Sequence, residues 1–139
     1  MKLSRTVDYA VRATLELARQ SEQAPVPCSQ LAAAGQMPER FLLQILRNLV
    51  THGILRSTRG VEGGYTLVRP IDEISLLDII EAIEGPMESS PEAPADDEDA
   101  EYRRLADAIR DVTQTARSQL AAIKLSQLME PPPDRNEDG

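Results

Sequence analysis

Arg40, Leu43, Gln44 and Arg47 stand three and four residues apart, so on a helix they project from one face. Side chains of these types read base edges. Arginine bonds guanine O6 and N7 with two parallel hydrogen bonds, glutamine does the same to adenine N6 and N7, and leucine packs on a thymine methyl. A second set follows at Arg56, Arg59, Gly60, Gly63, Gly64, Tyr65 and Arg69. Two alternating apolar and polar runs, Ile54 to Thr58 and Tyr65 to Val68, flank its glycines, which is the pattern of a β-hairpin with a turn needing positive φ. Arginines along such a hairpin reach phosphates or a minor groove, as the wing of a DNA-binding domain does. A solvated helix face and a solvated hairpin with incidental charge are the plainer readings of the same residues.

Other reactive groups are few. Cys28 is the one cysteine, so no intrachain disulfide is available. It lies near the start of a short helix, where the dipole would lower its pKa and suit it to redox sensing, although a lone cysteine more often packs as a small apolar residue. Lys2 and Arg5 lie at the start of the first helix, where cations oppose the dipole; either an external anion or simple surface charge accounts for them. The acidic run Asp96-Asp97-Glu98-Asp99 lacks the glycine and spacing of a calcium loop, and neither a metal nor a cofactor is expected. The glycines at 60, 63 and 64 lie inside a hairpin, not between a strand and a helix, so they are no nucleotide cradle. One histidine and one cysteine without an orienting third group do not make a nucleophile and base, so an enzyme is not expected.

The elements that must hold these residues are mostly helical. Ser4 to Arg19 has apolar residues at helical spacing and no Gly or Pro. Ser21 to Pro27 reads as a loop, Ser29 to Ala34 as a short helix, and Gly35-Gln36-Met37 as a turn. Pro38 to His52 is a strong helix, with Pro38 at its first position, Gly53 just past its end and a core stripe of Phe41, Leu42, Ile45, Leu46, Leu49 and Val50. A short helix, a tight turn and a helix exposing Arg, Gln and Asn form a helix-turn-helix signature, and the hairpin follows immediately. Ser75 to Asp78 resembles a capping box for a helix ending at Glu84.

At 139 residues the chain is one domain with extensions, and its net charge of −8 is unevenly spread. Residues 1–70 hold nine Lys/Arg against five Asp/Glu, a balance of +4, whereas 71–139 hold six against eighteen, a balance of −12. A basic half joined to an acidic remainder fits a nucleic-acid module with a separate assembly or sensing part. The expected division is a winged helix-turn-helix domain at 1–86, an acidic mobile loop at 87–100, a long helix at 101–129 and a disordered tail at 130–139. Along the long helix Leu105, Ile109, Val112, Ala116, Leu120 and Ile123 form a stripe that needs a partner, most simply a second copy. No apolar run is long enough for a membrane span and the N-terminus lacks a signal-peptide core, which points to the cytoplasm.

The opening Met1 to Arg12, the block Phe41 to Leu46, the stretch Arg59 to Leu67 and the segment Ile74 to Gly85 together resemble the Rrf-two family of bacterial transcription regulators. The resemblance implies a winged-helix homodimer that represses promoters, with Arg40, Gln44 and Arg47 in the major groove and Arg59 with its neighbouring glycines in the minor groove. It also implies a regulatory protein as a candidate partner, since some members are controlled by a bound enzyme; a small molecule between the domain and the long helix is a separate candidate that no polar constellation in the sequence names. Iron–sulfur members of that family carry three cysteines between the Gly-Pro and the long helix; here Met87 to Ala100 contains neither Cys nor His, so the chain resembles a member without a cluster. Many members have Glu where Leu43 stands, so their base preference does not transfer. The alternative is an adaptor whose main partner is another protein.

Overall fold

The computed structural model describes residues 2–20, 24–87 and 99–129. The element order is α1 (Arg5–Arg19), α2 (Cys28–Gly35), α3 (Glu39–Thr51), β1 (Leu55–Thr58), β2 (Gly64–Leu67), α4 (Leu76–Glu84) and α5 (Ala100–Ala122), followed by a 3-10 turn at Leu125–Gln127. The fold is thus mostly α with a two-stranded antiparallel sheet. Ser4 caps α1 by accepting from the Val7 N–H at 3.2 Å. Pro38 sits one position earlier than its expected place, as the N-cap of α3.

One core joins the helices. Val7, Ala10 and Ala13 of α1, Leu31 of α2, Leu42, Ile45, Leu46 and Leu49 of α3, Ile54 and Leu55 at the hairpin base, and Ile79 of α4 are all buried. Phe41 departs from the expected stripe: it is 44% exposed and meets Tyr9 edge to face at 5.8 Å between ring centres. The stripe at helical spacing was wider than the surface available to cover it.

The turn between α2 and α3 is made differently from the glycine turn suggested by sequence. Gly35 stays helical, and Gln36 takes the left-handed conformation at φ 52 and ψ 49, donating its N–H to α2 carbonyls. Gly35 matters through its missing side chain, since a Cβ there would lie 2.5 Å from Met37 Cε, and Met37 is buried.

The last helix is shorter than 101–129. α5 ends at Ala122, at about 34 Å by helical rise. The chain then turns onto α4: the Ile123 carbonyl accepts from Leu76 N–H at 2.8 Å, Leu125 N–H donates to Ile74 O at 2.9 Å, and Leu125 is fully buried. Burying Leu125 and satisfying Ile74 and Leu76 outweighs another turn of α5, which would carry Leu125 away from the core. The expected acidic loop falls largely on 88–98 and the expected tail on 130–139, both outside the described residues.

Candidate nucleic-acid interface

Helix α3 presents the four predicted reading side chains along one edge. Arg40, Gln44 and Arg47 are exposed, and Leu43 is half-buried beside them. Gln44 Nε2 donates to Asn48 Oδ1 at 3.4 Å, a weak contact that leaves its amide available to a base. The helix stops where Gly53 N–H donates to Val50 O and Ile54 N–H to Leu49 O, each at 3.0 Å, and this Schellman ending turns the chain straight into β1. The hairpin is therefore placed by the end of α3, with no free linker between them.

The hairpin pairs Leu55 with Leu67 and Thr58 with Gly64 at its two ends. Near the turn, β2 is held by an interaction that sequence did not suggest. Val26 exchanges two backbone hydrogen bonds with Tyr65, at 2.9 and 3.0 Å, so β2 is bridged on both sides. Val26 lies between Pro25 and Pro27; the following proline favours extended backbone, and the flanking residues without N–H limit the pairing to one residue. That Pro-Val-Pro pattern was the available signal. Gly64 makes the approach possible, because at φ +153 a Cβ would lie 2.4 Å from Val26 backbone atoms.

The wing residues differ in role. Arg56, Arg59 and Gly60 are exposed, whereas Gly63 is buried, and a Cβ on it would lie 2.1 Å from Thr58 O. Arg69 points back to its own domain: it donates to Glu73 O and sits 3.5 Å from the Asp78 carboxylate. Arg12, Arg19, Arg110 and Arg117 also hold carboxylates. Arg40, Arg47, Arg56 and Arg59 make no ion pair among the described residues, so four uncommitted cations lie on α3 and the wing.

Tyr65 is half-buried, and burial raises its pKa, with Cys28 adding to the rise and Arg47 opposing it. The Cys28 thiol donates to Glu39 O at 3.7 Å. Its pKa is also raised, first by burial and then by the Glu39 carboxylate, the reverse of the lowering expected from a helix N-terminus. Lys2 and Arg5 are exposed at the start of α1 and line a shallow recess with Asp8 and Glu84.

The α5 stripe divides in two. Leu105, Ile109 and Val112 are exposed and Ala116 is half-buried, whereas Leu120 is buried against the domain and Ile123 lies past the helix end, bonded to Leu76. No helix among the described residues is long and apolar enough to cross a membrane.

The family model Rrf2, described as an iron-dependent transcriptional regulator, matches residues 3–131. The chain belongs to the Rrf2 family. Rrf2 proteins related to it include CymR of Bacillus subtilis, an HTH-type transcriptional regulator 34% identical over 111 residues, which are 80% of this chain and 79% of CymR. Another, from Mycobacterium tuberculosis and also named as an HTH-type transcriptional regulator, is 46% identical over 89 residues, 64% of this chain but only 55% of the relative. This chain thus aligns to little more than half the length of that relative. The structure of Bacillus subtilis CymR, named as that organism's global cysteine regulator, superposes with a TM-score of 0.71 at 30% identity, covering 92% of this chain and 95% of the other. The family is one of transcriptional regulators, not enzymes.

The Rrf2 description raises the question of iron. Cys28 is the only cysteine in the sequence, residues 88–98 contain neither Cys nor His, and among the described residues no three His, Cys, Asp or Glu side chains come together to hold a metal. A thiolate-ligated iron–sulfur centre needs several such donors, so the donor set of this chain does not fit one.

Proposed function

We propose that this protein is a sequence-specific DNA-binding regulator that works as a homodimer and represses by occupying its operator. The supporting observation is the set of four arginines on α3 and the wing that make no ion pair among the described residues, whereas Arg12, Arg19, Arg69, Arg110 and Arg117 each hold a carboxylate. In this reading Arg40, Leu43, Gln44 and Arg47 meet base edges in the major groove, and Arg56 and Arg59 meet the backbone and the adjacent minor groove. Residues 1–86 hold the DNA, the exposed half of the α5 stripe pairs two copies, and the protein acts in the cytoplasm. Lys2 and Arg5, exposed at the start of α1, would add phosphate contacts.

A mobility-shift titration against genomic fragments tests this. Specific complexes should weaken steeply with salt, by about a thousandfold between about 50 and 200 mM if six or so phosphates are neutralised. Arg59→Ala should flatten the salt slope by about one and weaken binding, with the larger loss where the minor groove beside the wing is A·T-rich. Arg47→Ala should relax the preference at one position, by about 1–3 kcal/mol. A folded protein that shifts no fragment at low salt would sink the proposal. A stoichiometric protein that copurifies after nuclease treatment would support the adaptor role in its place.

A further inference from the structure

Val61 is fully exposed, at 106% of its reference area, at the tip of the wing. The tip is a defined turn: Gly63 N–H donates to Gly60 O at 3.0 Å, which leaves Val61 and Glu62 as its two central residues. Its fourth residue is packed too tightly to carry a Cβ, since one on Gly63 would lie 2.1 Å from Thr58 O. A β-branched side chain on such a turn has few rotamers to lose on contact. We propose that Val61 is a specificity-determining contact that enters the DNA minor groove and favours A·T pairs there by excluding the 2-amino group of guanine. The inference rests on the DNA-binding reading above.

Charge separates the tip from the arginines behind it. Val61 is apolar and Glu62 anionic, so the tip is poorly suited to phosphates, which suit Arg56 and Arg59. The surface continuous with those arginines but free of phosphate oxygens is the groove floor between the backbones. At an A·T pair that floor carries only the adenine N3 and thymine O2 acceptors, whereas a G·C pair adds the guanine N2 amine. Valine has no acceptor for that amine. Against guanine the donor would lose water without gaining a partner, and it would fill the space the methyl groups need. A narrow A·T-rich groove also concentrates negative potential, which attracts Arg59 and opposes Glu62, so the preference assigned to the tip itself rests on Val61.

The test uses the full chain and duplexes obtained by in vitro selection, with the wing's contacts located by minor-groove footprinting. A·T pairs within that footprint are replaced by G·C and by inosine·C, which lacks the 2-amino group, and binding is followed by fluorescence anisotropy at one salt concentration. Wild-type protein should bind the G·C duplex more weakly and recover on inosine·C. Val61→Ala should lose roughly tenfold on the A·T duplex and much less on G·C. Val61→Asn, which supplies an acceptor, should move the preference toward G·C. Melting temperatures of both variants should match wild type, because the side chain touches nothing in the fold. Equal affinity of Val61→Ala and wild type on every duplex, or inosine·C binding as poorly as G·C, would overturn the role of Val61 and leave the DNA reading intact. Failure of the wild-type protein to select any sequence would overturn both.

Discussion

Gly64 shows how one missing side chain sets the geometry of the wing. Its φ of +153 and the 2.4 Å that would separate a Cβ from Val26 mean that an alanine there is both strained and in collision with backbone. Gly64→Ala should destabilise the protein by on the order of 3 kcal/mol, read as a fall in melting temperature, and should weaken DNA binding beyond what the fraction unfolded explains. An unchanged melting temperature would show that Val26 can move aside at no cost. Sequence marked Gly63 and Gly64 as part of a DNA-facing hairpin, but it could not show that their immediate neighbours are Thr58 and Val26. The exposed edge of α3 was legible because helical spacing alone puts Arg40, Gln44 and Arg47 together. Phe41 and Arg69 were misread for the same underlying reason: each finds its partner, Tyr9 or Asp78, through tertiary packing that local pattern does not encode.

Among the elements, α4 and α5 are joined by a carboxylate with two partners. Glu81 accepts from Met87 N–H at 2.8 Å and from Arg117 at 2.5 Å, tying the helix, the chain leaving it and α5 together. Its pKa is lowered from the ordinary value of 4.5, first by the Met87 N–H and further by Arg117, against an opposing effect of burial. A group whose folded pKa lies below its unfolded value stabilises fully above the unfolded value and loses that contribution as pH falls through the folded one. The stability difference between wild type and Glu81→Gln should therefore be constant near neutral pH and shrink below about pH 4.5, as followed by thermal melting. A difference that does not change with pH would remove the ion pair from the account. The capping box of Ser75 and Asp78 was visible in four residues of sequence and is present, with Asp78 N–H donating to Ser75 Oγ at 3.0 Å and Ser75 N–H to Asp78 Oδ2 at 2.9 Å. Glu81 and Arg117 lie 36 positions apart, and no local rule pairs them. The same holds for the end of α5, which is fixed by where Leu125 can be buried rather than by helix propensity.

For the whole molecule, the charge division was the informative quantity, because the overall charge of −8 hides a basic half that carries the uncommitted arginines. Exposed Leu105, Ile109 and Val112 have no cover within the chain among the described residues. If they meet a second copy, Val112→Asp should weaken dimerisation by on the order of a hundredfold or more, seen by sedimentation velocity, with folding intact since Val112 is outside the core. Operator affinity should fall in parallel. Sedimentation of wild type as a monomer at micromolar concentration would end the dimer reading. The other end of α5 is fixed, with Leu120 in the core and Leu125 fully enclosed just beyond it. That makes α5 a lever of about 34 Å on a rigid pivot. A tilt of only about 5° at the pivot displaces its N-terminal end by about 3 Å, close to the 3.4 Å rise of one base pair.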